Sequence, residues 1–364
     1  MINLDTSAGI KIDRNIIELS VKDFLNVGNP SNITTKRGQL GKKYIERTRE
    51  YISSLFDINK DTIQFNSGAS EGNVTIIKYF HNIFKEKSKY MFYIREHPSI
   101  ANNLKYLNTI FDLSYDVIEP QKDYDKIKTL TIEDIDKVYK DHQLLILSPC
   151  ESISGEYHKI ELYEKIKKKY PDMFILADIT QSIYRVPLEE TKKLIEIVDF
   201  VTCSCHKFGS LPSSGFLINK TNMSLNKFPM IIGSQERGMR GGTENVLGII
   251  SIYYALKKLS EKNKLSFIKL KIIDTQLYNL LLKSELIPYN YEQRIPGIIL
   301  VNTKKDANKI ARILSDNYGI DVGLKTACAT NVDEKTLRFS FDDSIDNNVI
   351  KILSNTLNDL NLLY

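Results

Sequence analysis

Tryptophan is absent from the chain, and 364 residues include only four cysteines, Cys150, Cys203, Cys205 and Cys328. Four are too few to staple a chain of this size, which excludes a disulfide scaffold and fits a reducing compartment such as the cytoplasm. The missing tryptophan carries no functional message. No apolar run approaches the roughly 20 residues that span a bilayer. The first residues, MINLDTSAGIKID, lack a basic stretch followed by an apolar one, so neither a membrane anchor nor a secretory signal is expected. Charge of one sign is not in large excess: 50 Lys and Arg against 45 Asp and Glu give a formal +5, spread along the chain. The basic residues fall mostly as lysine pairs in amphipathic segments, as in Lys165–Lys169 around Ile166. They read as solvated faces, which makes direct nucleic-acid binding unlikely as a function. Internal repeats, low-complexity tracts and linkers rich in Pro or Gly are missing too.

What is present is a rhythm of short apolar strands, turns and helices. TIQF (Thr62–Phe65), YMFYI (Tyr90–Ile94), LLILS (Leu144–Ser148), MFILAD (Met173–Asp178) and VDFVTCS (Val198–Ser204) have the composition of strands buried on both faces. Helical patterns start near Ala69 and after Pro98, and cover Leu162–Lys169 and Leu188–Ile197. The expectation is an α/β fold whose large domain holds a mainly parallel sheet between helices, with catalytic residues at the carboxyl ends of its strands. A long helical pattern from Val246 to Lys283 is followed by strands GIILV (Gly297–Val301) and TLRFSF (Thr336–Phe341). Helices near Asp306–Asn317 and Asn347–Leu360 complete a smaller α+β domain. The expected division is a large domain over 14–260 and a small one over 1–13 and 261–364, with the boundary inside the long helix.

Several residues stand where chemistry is plausible, each with a plainer reading beside it. Lys207, in SCHKFG at the end of a strand, is either a solvated edge residue or a Schiff-base lysine kept reactive by partial desolvation. Asp178 closes MFILAD with Gln181 three residues on. It is either a helix cap or the anionic partner of a pyridinium nitrogen, with Gln181 as a donor near the ring oxygen. FNSGASEGN (Phe65–Asn73) is either an ordinary turn or an anion site. In the second case Ala69 and Ser70 offer helix N-terminal donors to a phosphate, and Ser204 and His206 add more. His97, in REHPS, is either structural or a stacking, proton-carrying imidazole.

Together these blocks resemble the NifS/IscS type of cysteine desulfurase, in the class V aminotransferase family of fold-type I pyridoxal-phosphate (PLP) enzymes. The resemblance rests on LDTSAG (Leu4–Gly9), GNPS (Gly28–Ser31), FNSGASEGN, EHPS (Glu96–Ser99), the Asp178–Gln181 turn, SCHKFG, GSQERGMRGGTEN (Gly233–Asn245), TAC (Thr326–Cys328) and LRFSF (Leu337–Phe341). It implies PLP on Lys207, Asp178 and Gln181 as ring partners, and His97 as the stacking histidine. Ser70, Ser204 and His206 become the phosphate cup, and Arg338 the clamp on the substrate carboxylate. Thr243 matches a residue that reaches the phosphate of the neighbouring subunit, which implies a homodimer. Cys328 matches the nucleophile that takes sulfur from L-cysteine as a persulfide, leaving L-alanine. The other three cysteines, in or beside strands, are expected in the core, with Cys205 notable for lying close to Lys207.

Two departures from the family pattern bear on function. Ser152 stands where the family often has an asparagine facing substrate and ring, and its SPCESISGEYH segment leans toward transamination. Arg338 follows Cys328 by only ten positions, a shorter loop than in IscS-type members. Such a loop spans at most about 35 Å fully extended. An acceptor would therefore approach the site itself, or an activator subunit would open it, or turnover would be slow. Another class V reaction, transamination or selenocysteine lysis, is the alternative enzyme, and a non-catalytic scaffold the alternative class. The sulfur acceptor is not legible: iron–sulfur assembly, tRNA thiolation and DNA sulfur modification all draw on such enzymes.

Overall fold

A computed structural model describes residues 1–111, 113–120, 122–123, 126–324 and 335–362. In chain order the strands are β1 (Ile2–Leu4), β2 (Ile63–Asn66), β3 (Lys89–Tyr93), β4 (Ser114–Ile118), β5 (Lys122–Asp123), β6 (Lys126–Ile127), β7 (Leu144–Ile146), β8 (Phe174–Asp178), β9 (Phe200–Ser204), β10 (Gly215–Asn219), β11 (Leu286–Pro288), β12 (Ile298–Thr303), β13 (Ile320–Leu324) and β14 (Thr336–Ser340).

Seven of them form the large sheet in the order β2-β10-β9-β8-β7-β3-β4. Every pairing from β9 across to β4 is parallel, and β10 runs antiparallel to both its neighbours. Alternation along the strands explains why the sheet is covered on both faces. Met91 and Tyr93 of β3 join one core with Leu145, Ala177, Val201 and Cys203. Tyr90 and Phe92 join the opposite core with Leu144, Ile146, Leu176 and Phe200. The covering helices include Ala69–Phe84, Pro98–Phe111, Ile160–Lys169 and Leu188–Ile197.

A second sheet has the order β1-β13-β14-β12-β11. It packs its own core, with Leu4, Leu277, Leu281, Val301, Leu314, Phe339 and Leu357 among its members. The helix Val246–Leu281 serves both cores: Ile249, Ile250, Ile252 and Leu256 pack under the large sheet, while Leu270, Ile273, Leu277 and Leu281 pack under the small one. Strand β1 comes from the N-terminus and lies parallel to β13, so the first residues of the chain are held beside the last sheet. Among the described residues no helix is long and apolar enough to cross a membrane.

Candidate active site

Strands β3, β7, β8 and β9 end at one edge of the large sheet, where the N-terminal segment and the small sheet come across them. A cavity of about 280 Å³ lies there, near the lower end of the range for small-molecule sites. Ala69, Ser70, His97, Ser152, Asp178, Gln181, Ser204, His206, Lys207 and Arg338 all line it. Thr243 does not; it is exposed. Cys328 lies outside the described residues, but Leu324, four positions before it, is in the cavity wall.

Each side chain is brought there by the element that ends beside it. Asp178 is the last residue of β8, buried, with Oδ1 accepting from the Thr180 amide at 3.0 Å and Oδ2 from Asn73 Nδ2 at 3.2 Å. Asn73 is itself held by the Thr202 hydroxyl at 2.6 Å. Ser204 ends β9, and Lys207 sits in the one-turn helix Cys205–Phe208 that follows, its Nζ donating to the Ala8 carbonyl at 2.5 Å. His97 follows β3, with Nδ1 2.9 Å from the Ser99 hydroxyl.

The helix Ala69–Phe84 opens with Gly68, which has φ +145° and no side-chain cap. A side chain on Gly68 would be strained, and its Cβ would come within 2.9 Å of Ser204 Oγ. The Ala69 amide donates to that hydroxyl at 2.8 Å, so the start of the helix is fastened to the end of β9 with its remaining N–H groups turned outward. This is the setting in which a helix start binds an anion. His206 stands nearby with a buried Nδ1 that has no partner among the described residues.

Arg338, in the middle of β14, has its Nη2 on Asp5 at 2.6 Å and its Nη1 on the Ser152 carbonyl at 3.0 Å, while its buried Nε has no partner among the described residues. Ser152 thus meets the arginine through its main chain. Gly323, paired with Arg338 across the two strands, leaves space for the guanidinium: a Cβ there would stand 2.9 Å from Nε and Nη2 and 2.4 Å from Asp5 Oδ1.

The electrostatics separate the groups. Burial, reinforced by Lys207, pushes the His97 pKa down, although Asp178 pulls the other way. Burial and Lys207 together push His206 down to about 4. Both imidazoles are therefore neutral near pH 7 and able to accept a proton. Burial raises the Glu96 carboxyl to about 8, against hydrogen bonds from Ser148 that favour its charged form. Its two oxygens lie 2.5 Å from the Ser148 amide and hydroxyl.

Several residues at the site were not anticipated from the chain. Asp5, Ala8, Asn73 and Thr180 act on the expected residues through contacts made in the fold, while Glu96 lines the cavity and is held by Ser148. Glu96 had a local signal in EHPS, and Asp5 in LDTSAG, since both blocks carry the family resemblance. Cys150 is buried as expected, yet it also lines the cavity, and burial raises its thiol pKa well above the ordinary value. Cys205, despite its closeness in sequence to Lys207, is fully buried in the core and does not line the cavity.

A model of the aminotransferase class-V family matches residues 2–353. A cysteine desulfurase IscS of Ehrlichia chaffeensis is 28% identical over 305 residues, covering 81% of this chain and 71% of that protein. A cysteine desulfurase of a Nostoc species is 26% identical over 339 residues, covering 91% of this chain and 81% of the relative. The crystal structure of a NifS-like protein from Rickettsia africae superposes with a TM-score of 0.83 at 25% identity, covering 99% of both chains. The chain belongs to the aminotransferase class-V family of PLP-dependent enzymes.

Proposed function

We propose that the protein is a cysteine desulfurase that binds PLP on Lys207, converts L-cysteine to L-alanine and carries the released sulfur as a persulfide on Cys328. The observation that carries this reading is one cavity in which Lys207, Asp178, His97 and an uncapped helix start meet Arg338 from the second sheet. The residues suit PLP: a carboxylate in Asp178, an amine in Lys207, and anion-binding donors at Ala69, Ser70, Ser204 and His206, whose buried Nδ1 has no partner among the described residues. Bound there, PLP supplies an electron sink for the Cα of the substrate.

The rest belongs to the chain. Arg338, held on one edge by Asp5, receives the substrate carboxylate. Lys207 Nζ takes the Cα proton. The neutral imidazole of His97 accepts a thiol proton. The Cys328 thiolate forms an Sγ–S bond as the substrate Cβ–S bond breaks, and alanine leaves once Cβ is protonated. Cys328 follows Leu324, a residue of the cavity wall, by four positions in the sequence. Thr243, exposed and away from its own cavity, fits service to the phosphate of a second copy in a homodimer. The sulfur passes to an acceptor protein that comes to the site, with or without an activator subunit.

The experiment is to load the protein with PLP, trap it with borohydride and locate the adduct. An adduct on Lys207, together with alanine formed from L-cysteine, supports the reading. An adduct on Lys207 with alanine formed only from a keto acid and an amino donor would move the protein to transamination. Absence of any adduct would remove the cofactor reading.

A further inference from the structure

Arg185 has no part in the reaction above, yet its setting is unusual. It lies in the segment after β8, and its side chain is fully buried. A buried guanidinium ordinarily faces a carboxylate, because an unpaired buried charge costs on the order of several kcal/mol in lost hydration. Among the described residues no carboxylate forms an ion pair with Arg185; its donors go to neutral oxygens. Nη1 meets Gln181 Oε1 at 2.7 Å and the Tyr184 hydroxyl. Nη2 meets Thr6 Oγ1 at 3.0 Å and Ser7 Oγ at 3.4 Å.

Gln181 lines the cavity, and Arg185 stands behind it. A guanidinium has donors only, so the Gln181 atom it meets is the carboxamide oxygen. The amide NH2 is thereby turned away from Arg185. One of its hydrogens serves the Ser7 carbonyl at 3.2 Å, and the other remains for a group in the cavity.

We infer that Arg185 is a positioning residue: it locks the Gln181 carboxamide with its NH2 presented to the cavity, and its unbalanced charge favours an anionic oxygen on the ring of PLP at that end. The inference rests on the cofactor reading. The neighbours of Arg185 do not compete for the role, since burial holds the Tyr184 hydroxyl up at about 12 and the Cys150 thiol well above its ordinary value. The ionisable groups facing the cavity besides Lys207 are Tyr93, Arg95, Glu96, His97, Cys150, Glu151, Asp178, His206 and Arg338, and they stay the same in every variant below.

The test compares wild type with Arg185→Met, Arg185→Gln and Arg185→Lys as PLP-loaded proteins. It reads the pH midpoint of the cofactor's visible absorbance change and the PLP dissociation constant. Removing the charge should raise the midpoint by about one unit and weaken PLP roughly tenfold, a shift of the size that a nearby charge produces. Arg185→Lys should stay near wild type. If Arg185→Met does not fold, Arg185→Gln, which keeps a donor and loses only the charge, carries the same expectation. A charge-free variant with wild-type melting and an unmoved midpoint overturns the inference, and so does a lysine variant shifted as far as the glutamine one. Wild type that traps no PLP on Lys207 would instead remove the cofactor reading beneath it.

Discussion

At the scale of single residues, the site works by holding polar groups where water cannot reach them. Arg338 is anchored on one side by Asp5 and keeps a buried Nε free of partners among the described residues, so a carboxylate arriving there gains charge-assisted hydrogen bonds. Arg338→Ala should raise the KM for L-cysteine about 10- to 100-fold, the equivalent of the ~1.5–3 kcal/mol of a hydrogen bond to a charged group. PLP content should be unchanged, and steady-state kinetics with cofactor absorbance checks both. Glu96 offers a second test. Its folded pKa of about 8 lies above the ordinary carboxyl value of 4.5, so folding holds a proton that the unfolded chain releases between those values. The stability it contributes is complete below pH 4.5 and is lost as pH rises through about 8. The stability difference between wild type and Glu96→Gln isolates this contribution and should fall by up to about 1.4 kcal/mol per pH unit as pH rises through the interval, in urea unfolding of both proteins. Lys207, Asp178 and His97 could be singled out as candidates because their blocks are local and follow or close a strand, whereas Arg338 came with the family resemblance; all four line the cavity. Asn73 and Asp5 were not legible as supports, because what matters about them is a hydrogen bond to Asp178 or Arg338, 105 and 333 positions away.

At the scale of elements, the apolar strands β3, β7, β8 and β9 were readable because they are buried on both faces and need uninterrupted hydrophobic sequence. Strands β1, β4 and β13 were not. β4 is an edge strand with mixed exposure, and β13 carries Asp321 and also Gly323, which leaves the space that Arg338 needs. LLILS also ends earlier as a strand than its composition suggests. Ser148 lies beyond β7 because its amide and hydroxyl are taken by Glu96. The helix Ala69–Phe84 depends on Gly68 for its approach to Ser204. Gly68→Ala should weaken PLP binding at least tenfold, as judged by equilibrium titration, since it strains the turn and pushes against Ser204 Oγ. The helix Val246–Leu281 serves two cores with one stripe that changes direction. Leu277→Ala, fully buried in the smaller core, should cost about 2–5 kcal/mol in denaturant unfolding.

At the scale of the whole molecule, the cavity exists because the N-terminal segment and the second sheet close over the strand ends of the first. Ser7 and Ala8, Leu324 and Arg338 meet residues from the ends of β3, β8 and β9 around one space. From the sequence, residues 1–13 are expected to group with 261–364; the contacts that close the cavity were not legible there, because they join residues far apart in the chain, as Lys207 Nζ meets the Ala8 carbonyl 199 positions away. The five histidines share a property of the whole fold: burial lowers each of them, His158 to about 3 and His206 to about 4. Between their folded values and the ordinary value of 6.5 the unfolded chain binds more protons, so stability falls as pH drops through that interval. Urea midpoints should decline steadily from pH 6.5 to pH 4, and a flat profile would show that these imidazoles are not buried neutral. The central claim, that this cavity feeds sulfur from L-cysteine to Cys328, is tested most directly by single-turnover alanine release and persulfide detection in wild type and Cys328→Ala, both loaded with PLP. The account predicts alanine and a protein persulfide from wild type and neither from the variant. Equal alanine release from both proteins would contradict it.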